Sequence, residues 1–180
     1  MTGEDKDILS ILQRNSEKGF RLLMGKYQEP IYWHIRRLVV SHDDAQDATQ
    51  ETFVRVFRNL GQVKKKDSFA AWIYRIATNE AFRILDARKA ETMDLDASQE
   101  NIKSLMADEY VDYSDLETVR LQEAILSLPP KQQLPFNLRY YDELGYEDIA
   151  GIIGATAASA KANYHIAKEK IIEYMNNHSE

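Results

Sequence analysis

The sequence contains no cysteine, which excludes a disulfide framework, a thiolate metal centre and a cysteine nucleophile. Glycine and proline are scarce, 7 and 4 in 180 residues, so there are few helix breakers and few positions reserved for tight turns. No apolar run approaches the roughly 18 residues a membrane span requires. The opening MTGEDKDILS lacks the basic-then-apolar order of a secretory leader. A cytoplasmic chain is therefore expected. His34, His42, His165 and His178 are scattered without ligand spacing, so no metal and no other cofactor is expected. No hydrolase or transferase motif occurs. The chain is expected not to be an enzyme and to take no small-molecule substrate.

Sustained apolar/polar alternation is also missing, whereas long windows carry the 3.6-residue helical period. The expectation is an all-α fold, and the length allows one ordinary domain or two small ones. A net charge of −6 argues at first against nucleic acid, because DNA affinity comes largely from Lys and Arg meeting phosphates. The distribution changes that reading. Residues 61–90 hold seven Lys or Arg against three acids, whereas residues 91–120 hold two against nine. A basic module thus abuts an acidic connector, and the domains expected are 1–90 and 116–180 with a linker over 91–115.

In the first module a short helix over residues 4–14 precedes SEKGFRLLMGKYQ, where Phe20, Leu23, Met24 and Tyr27 fall at helical spacing. Pro30 then suits a helix start or a kink, and Ile31, Tyr32, Ile35, Leu38 and Val39 continue the apolar side, with Arg36 and Arg37 facing water. The stretch DDAQDATQETFVRVFRNLG, Asp43 to Gly61, reads as a helix with two faces. Ala45, Thr49, Thr52, Phe53, Val56, Phe57 and Leu60 make the core stripe. Asp47, Gln50, Glu51, Val54 and Arg58 make the outer one. Asp43 is the expected N-cap and Gly61 the left-handed stop.

After the lysine run Lys64, Lys65 and Lys66, Ser68 caps FAAWIYRIATNEAFRILDARK, whose inward stripe is Phe69, Ile73, Ile76, Ala77 and Ile84. The other arc gathers Trp72, Tyr74, Arg75, Asn79, Phe82 and Arg83. Aromatic, guanidinium and amide groups of this kind suit stacking on single-stranded DNA, and the aromatics equally suit packing against neighbouring helices.

The second module divides into helices near 116–127, 131–141, 146–153 and 157–176. Gly154 should end the third, Thr156 should cap the fourth, and the GAT turn between them marks a helix-turn-helix. Ile149, Ile152, Ile153, Ala160, Tyr164, Ala167 and Ile171 should fill the angle between the helices. Outward on the last one lie Ser159, Lys161, Ala162, Asn163, His165 and Lys168, short polar groups and cations suited to phosphates and base edges. His165 serves equally well as a solvated residue.

Two matches complete the reading. YQEPIYWHIRRLV, DDAQDATQETFVRVFRNL and SFAAWIYRIATNEAF resemble the second region of bacterial sigma factors of the extracytoplasmic-function group. SLPPKQQLPFNLRYYDELGYEDIAGIIG followed by SAKANYHIAKEKI resembles the fourth region, in the family's order and spacing. The resemblance implies a transcription-initiation subunit that docks on core RNA polymerase, at the clamp helices of its largest subunit and at its flap. Asp47, Gln50, Glu51, Val54 and Arg58 would form the docking face. Lys64, Lys65, Lys66, Trp72, Tyr74, Arg75, Asn79 and Arg83 would meet the minus-ten element of promoter DNA. Thr156, Ser159, Lys161, Ala162, Asn163, His165 and Lys168 would meet the minus-thirty-five element. An anti-sigma factor, often membrane-anchored, is implied as a further partner, and the linker would thread the polymerase cleft. The chain departs from the family's usual residues at Thr78, Arg83, Asn163, Ile166 and Glu169. The competing readings are a free-standing helix-turn-helix regulator and a sigma-like antagonist that keeps the docking face without reading DNA.

Overall fold

Among the described residues of the computed structural model, 3–63, 68–91 and 116–178, every regular element is helical. Two compact units emerge, Met1–Arg88 and Lys89–Glu180. The lysine run and almost all of the acidic linker lie outside the described residues.

In the first unit, α1 (Gly3–Arg14) turns into the 24-residue α2 (Ser16–Val39) at Asn15, whose Oδ1 accepts from the Lys18 N–H at 2.9 Å. That side-chain acceptor satisfies one of the orphan donors of the first turn. α1 lies tightly on α2: a Cβ at Gly19 would stand 2.5 Å from the Leu12 backbone nitrogen. The buried carboxylate of Asp5 fastens the pair, accepting from the Tyr27 hydroxyl and from Lys26 Nζ, each at 2.7 Å.

α2 is continuous through Pro30, which neither starts nor ends a helix. It meets α1 on one side, α3 (His42–Asn59) on another and α4 (Phe69–Glu91) on a third. The α4 contact includes Tyr27 edge-on to Phe69 and His34 edge-on to Tyr74, with centroids 6.0 and 5.1 Å apart. His34 Nε2 lies 2.9 Å from Thr78 Oγ1. The Thr78 hydroxyl is also 2.8 Å from the Tyr74 carbonyl, to which it donates. Neighbours on several sides explain why Arg36, expected to face water, is only 3% exposed.

α3 departs from expectation at both ends. Its N-cap is Ser41, whose Oγ accepts from the Asp44 N–H, and Asp43 sits in the first turn. The chain leaves α2 through Val40 at φ 67°, which turns it early enough for Ser41 to cap. At the far end α3 runs through Leu60 in right-handed geometry into a 3₁₀ turn, Leu60–Gln62. Gly61 supplies no left-handed stop.

The second unit comprises α5 (Leu116–Leu126), α6 (Pro130–Tyr140), α7 (Tyr146–Ile153) and α8 (Ala157–Asn177). Ala124, Ile125, Leu128, Phe136, Ala167 and Ile171 form its core, with α8 packed against the other three helices. Gly154 closes α7 at φ 68°, and Thr156 Oγ1 accepts from the Ser159 N–H at 3.1 Å to open α8. Ile149, Ile152 and Ala160 are buried, while Ile153 and Tyr164 are half-buried. Asn137 of α6 is fully buried, and neither end of its amide has a hydrogen-bond partner.

Candidate functional site

The docking face is set by how much of α3 the unit covers. At about 100° per residue, Ala45, Ala48, Thr49, Thr52, Phe53 and Val56 share one arc, and all six are buried. The two threonines complete their own hydrogen bonding there, Thr49 to the Ala45 carbonyl and Thr52 to the Ala48 carbonyl. Opposite them Asp47, Gln50, Val54 and Arg58 are exposed, and Glu51 is half-buried with Oε1 accepting from Arg55 Nε at 3.0 Å. Phe57 does not belong to the core stripe. It is 50% exposed and touches Phe20 edge-on, with centroids 5.3 Å apart. The outer face therefore carries a large apolar ring that the sequence pattern assigned to the interior.

On α4, Ser68 Oγ accepts from the Ala71 N–H, and the helix presents Arg75, Asn79 and Arg83 to solvent. Trp72 is half-buried, one ring face stacked on Phe69 at 5.8 Å. Phe82, further along the same helix, is half-buried. Tyr74 leaves this arc: it lies about 100° from Arg75 around the helix, is 5% exposed and packs on His34. The adjacent candidates Lys64, Lys65 and Lys66 lie outside the described residues.

Lys161, Ala162, His165 and Lys168 are exposed along α8, and Ile166 joins them. Ser159 and Asn163 are half-buried and joined: Asn163 Nδ2 donates to the Ser159 carbonyl at 3.0 Å and approaches its Oγ at 3.4 Å. Thr156 is engaged as the cap. The turn between α7 and α8 thus places the N-terminal half of α8 on the surface with small and cationic side chains leading, the arrangement a helix needs to enter a major groove.

These features define a two-unit helical protein with a helix-turn-helix in its second unit. The sigma-70 region 2 family model matches residues 23–91, and the sigma-70 region 4 model matches residues 118–171. The RNA polymerase sigma-H factor of Pseudomonas aeruginosa is 30% identical over 177 residues, covering 93% of this chain and 92% of that protein. The ECF RNA polymerase sigma-E factor of Escherichia coli is 30% identical over 178 residues, with the same coverage of 93% and 92%. Among solved structures, the sigma factor RpoE from Bartonella quintana, in complex with the anti-sigma factor NepR, superposes with a TM-score of 0.71 at 20% identity, covering 88% of this chain and 98% of that one. CnrH, in complex with the cytosolic domain of CnrY, gives 0.72 at 14% identity, covering 97% and 99%. Those two show the shared fold. The chain belongs to the extracytoplasmic-function family of RNA polymerase sigma factors, which bind core polymerase and direct it to promoter DNA. Such factors are in general non-enzymatic initiation subunits.

Proposed function

We propose that residues 1–90 dock on core polymerase and open the minus-ten element, that 91–115 connect, and that 116–180 read the minus-thirty-five element. Asp47, Gln50, Glu51, Val54 and Arg58 form the docking face, with Phe57 at its edge. Trp72, Arg75, Asn79 and Arg83, together with the lysines 64–66, meet the opened strand, whereas Tyr74 supports them from the core. Ser159, Lys161, Ala162, Asn163, His165 and Lys168 meet the upstream duplex, and Thr156 holds the start of their helix.

The observation that carries this reading is α3 itself. One arc is buried without a break and the opposite arc is exposed, acidic and partly apolar, a face that contributes little to holding the helix in place. The chain leaves all chemistry to the polymerase and works in the cytoplasm. No helix among the described residues is long and apolar enough to cross a membrane. RpoE was solved with an anti-sigma factor, and an inhibitor of that kind, often membrane-anchored, is the further partner in this reading.

The test is the reversal Asp47→Lys with Glu51→Lys. Exposed charges contribute about 0–1 kcal/mol to stability, so the variant should stay helical and lose co-purification with core polymerase. A folded double variant that still co-purifies overturns the docking face. Run-off transcription on a genomic fragment library separates an active sigma factor from an antagonist that only docks.

A further inference from the structure

Glu80 lies on α4 with its side chain 3% exposed, and its two oxygens meet guanidinium groups of two different helices. Its Oε1 is 2.7 Å from Nε of Arg55 on α3. Its Oε2 accepts from Nε of Arg83 at 2.9 Å, one turn along α4, and Nη2 of the same guanidinium is also 2.9 Å away. Arg55 Nε in turn donates to Glu51 Oε1 at 3.0 Å. Four side chains of alternating sign therefore run from the outer face of α3 to the outer face of α4, with the middle carboxylate buried and the terminal arginine 61% exposed.

A buried carboxylate is costly unless its charge is met on both oxygens. An apolar residue of similar volume would hold α3 against α4 at least as well. What the carboxylate adds is direction. A free arginine on an exposed helix face samples many rotamers, whereas a guanidinium bonded through Nε and paired through Nη2 to one fixed oxygen is held in place while 61% of its side chain stays exposed. Glu80 can hold Arg83 only if its own rotamer is fixed, and Arg55 fixes it from the neighbouring helix.

We infer that Glu80 and Arg55 are positioning residues for Arg83: the docking helix sets, through a buried carboxylate, the guanidinium that α4 offers to the opened promoter strand. This rests on the reading of α4 as the strand-contacting helix. It makes the geometry of strand contact depend on a residue of α3 that lies away from the DNA.

The experiment uses holoenzyme assembled with saturating sigma factor, so that altered core affinity does not enter. Opening is followed by permanganate reactivity of thymines on a promoter fragment that gives run-off product with the parent. Arg83→Ala and Asn79→Ala test the α4 face. Arg55→Ala tests the tether, Arg55→Lys restores a cation at the same place, and Arg21→Ala removes a comparably short but unconnected exposed pair with Glu17, 2.7 Å. Arg55→Ala is expected to slow opening about fivefold or more, Arg55→Lys to recover most of the rate, and Arg21→Ala to match the parent. In an Arg83→Ala background, Arg55→Ala should add nothing. If Arg83→Ala slows opening but Arg55→Ala does not, or if the two effects simply multiply, the tether is wrong while the α4 face stands. If Arg83→Ala and Asn79→Ala both open at the parent rate, the α4 reading falls and the tether with it.

Discussion

Arg88, near the end of α4, donates to the main-chain carbonyl of Val39, the last residue of α2, at 2.9 Å. The same guanidinium pairs with the Asp44 carboxylate in the first turn of α3, so one side chain ties three helices where the backbone is under strain. Val40, between α2 and α3, has φ 67°, a conformation that costs a β-branched residue on the order of 1–3 kcal/mol. Burial of the Val40 side chain and the Arg88 bridge offset that cost.

Replacing Arg88 by Ala should therefore destabilise the first unit by about 1–2 kcal/mol, a charge-assisted pair discounted for its partial exposure. Arg88→Lys should recover only part, because a single ammonium cannot span both acceptors as the planar fork does. Trp33 and Trp72 both lie in Met1–Arg88, so the urea transition followed by tryptophan fluorescence reports this unit. An unchanged midpoint in Arg88→Ala would show the bridge to be idle.

Phe53→Ala should cost the first unit about 3–5 kcal/mol, as for a well-packed aromatic, and Phe57→Ala should cost less than about 1 kcal/mol because half of its ring is already in water. Equal losses in the same fluorescence transition would contradict the burial pattern of α3.

That contrast also shows what was legible. Helix existence and order could be read because the apolar period is strong and the breakers are few, and Gly154 and Thr156 act where their types require. Phe57 falls outside the core because periodicity reports apolar positions, whereas the width of the buried arc depends on how many helices lie against it. The burial of Tyr74, by contrast, is legible in the sequence, because its projection alone separates it from Arg75 by about 100°. The cap at Ser41 depends on Val40 adopting a left-handed turn, which no propensity favours. Glu80 is not legible in the sequence, since a lone acid acquires meaning only when Arg55 arrives from another helix.

Alkali should destabilise the first unit. Burial alone would lower the pKa of Lys26, but its bonds to Asp5 and Glu4 and their charges raise it overall above the ordinary 10.5. The Tyr27 hydroxyl is raised well above the usual 10.0, first by burial and then by its bond to Asp5 and that carboxylate's charge. Both groups keep their protons longer when folded, so their contribution is complete below about pH 10 and is lost as pH rises further. The urea midpoint should be level in this respect from about pH 7 to 9 and fall beyond about pH 10. Tyr27→Phe should be less stable at neutral pH and show a shallower alkaline fall; a parent-like fall in that variant would remove the tyrosine from the account.

Asn137 predicts a gain. A fully buried amide with neither end bonded carries a desolvation cost of about 1–3 kcal/mol, and an apolar side chain of similar size removes it. Asn137→Leu should raise the thermal midpoint of the second unit, followed by circular dichroism. A lower midpoint would mean that the amide is satisfied in solution or that the branched side chain does not fit.

The charge balance of the recognition unit sets the last expectation. Residues 121–180 hold five Lys or Arg against eight acids, and 91–120 hold two against nine. Lys161 is the exposed cation among the small residues at the front of α8, and Lys168 follows two turns along the same face, so few counterions are released on binding duplex DNA. Each phosphate contact contributes about 0.9 to the slope of log affinity against log salt, so the isolated chain should bind weakly and with a shallow slope. On polymerase the situation changes, because docking of the first unit presents the second at a high effective concentration without any new contact. Fluorescence anisotropy with a labelled duplex promoter at physiological salt should therefore show no sequence-specific binding by the chain alone, and specific binding once core enzyme is added. Replacing Lys161 and Lys168 together by Ala should lower holoenzyme affinity for that duplex and reduce the salt slope by up to about 2. Tight specific binding by the isolated chain, above all as a dimer on a palindrome, would show that α8 reads DNA without the polymerase and would overturn this dependence.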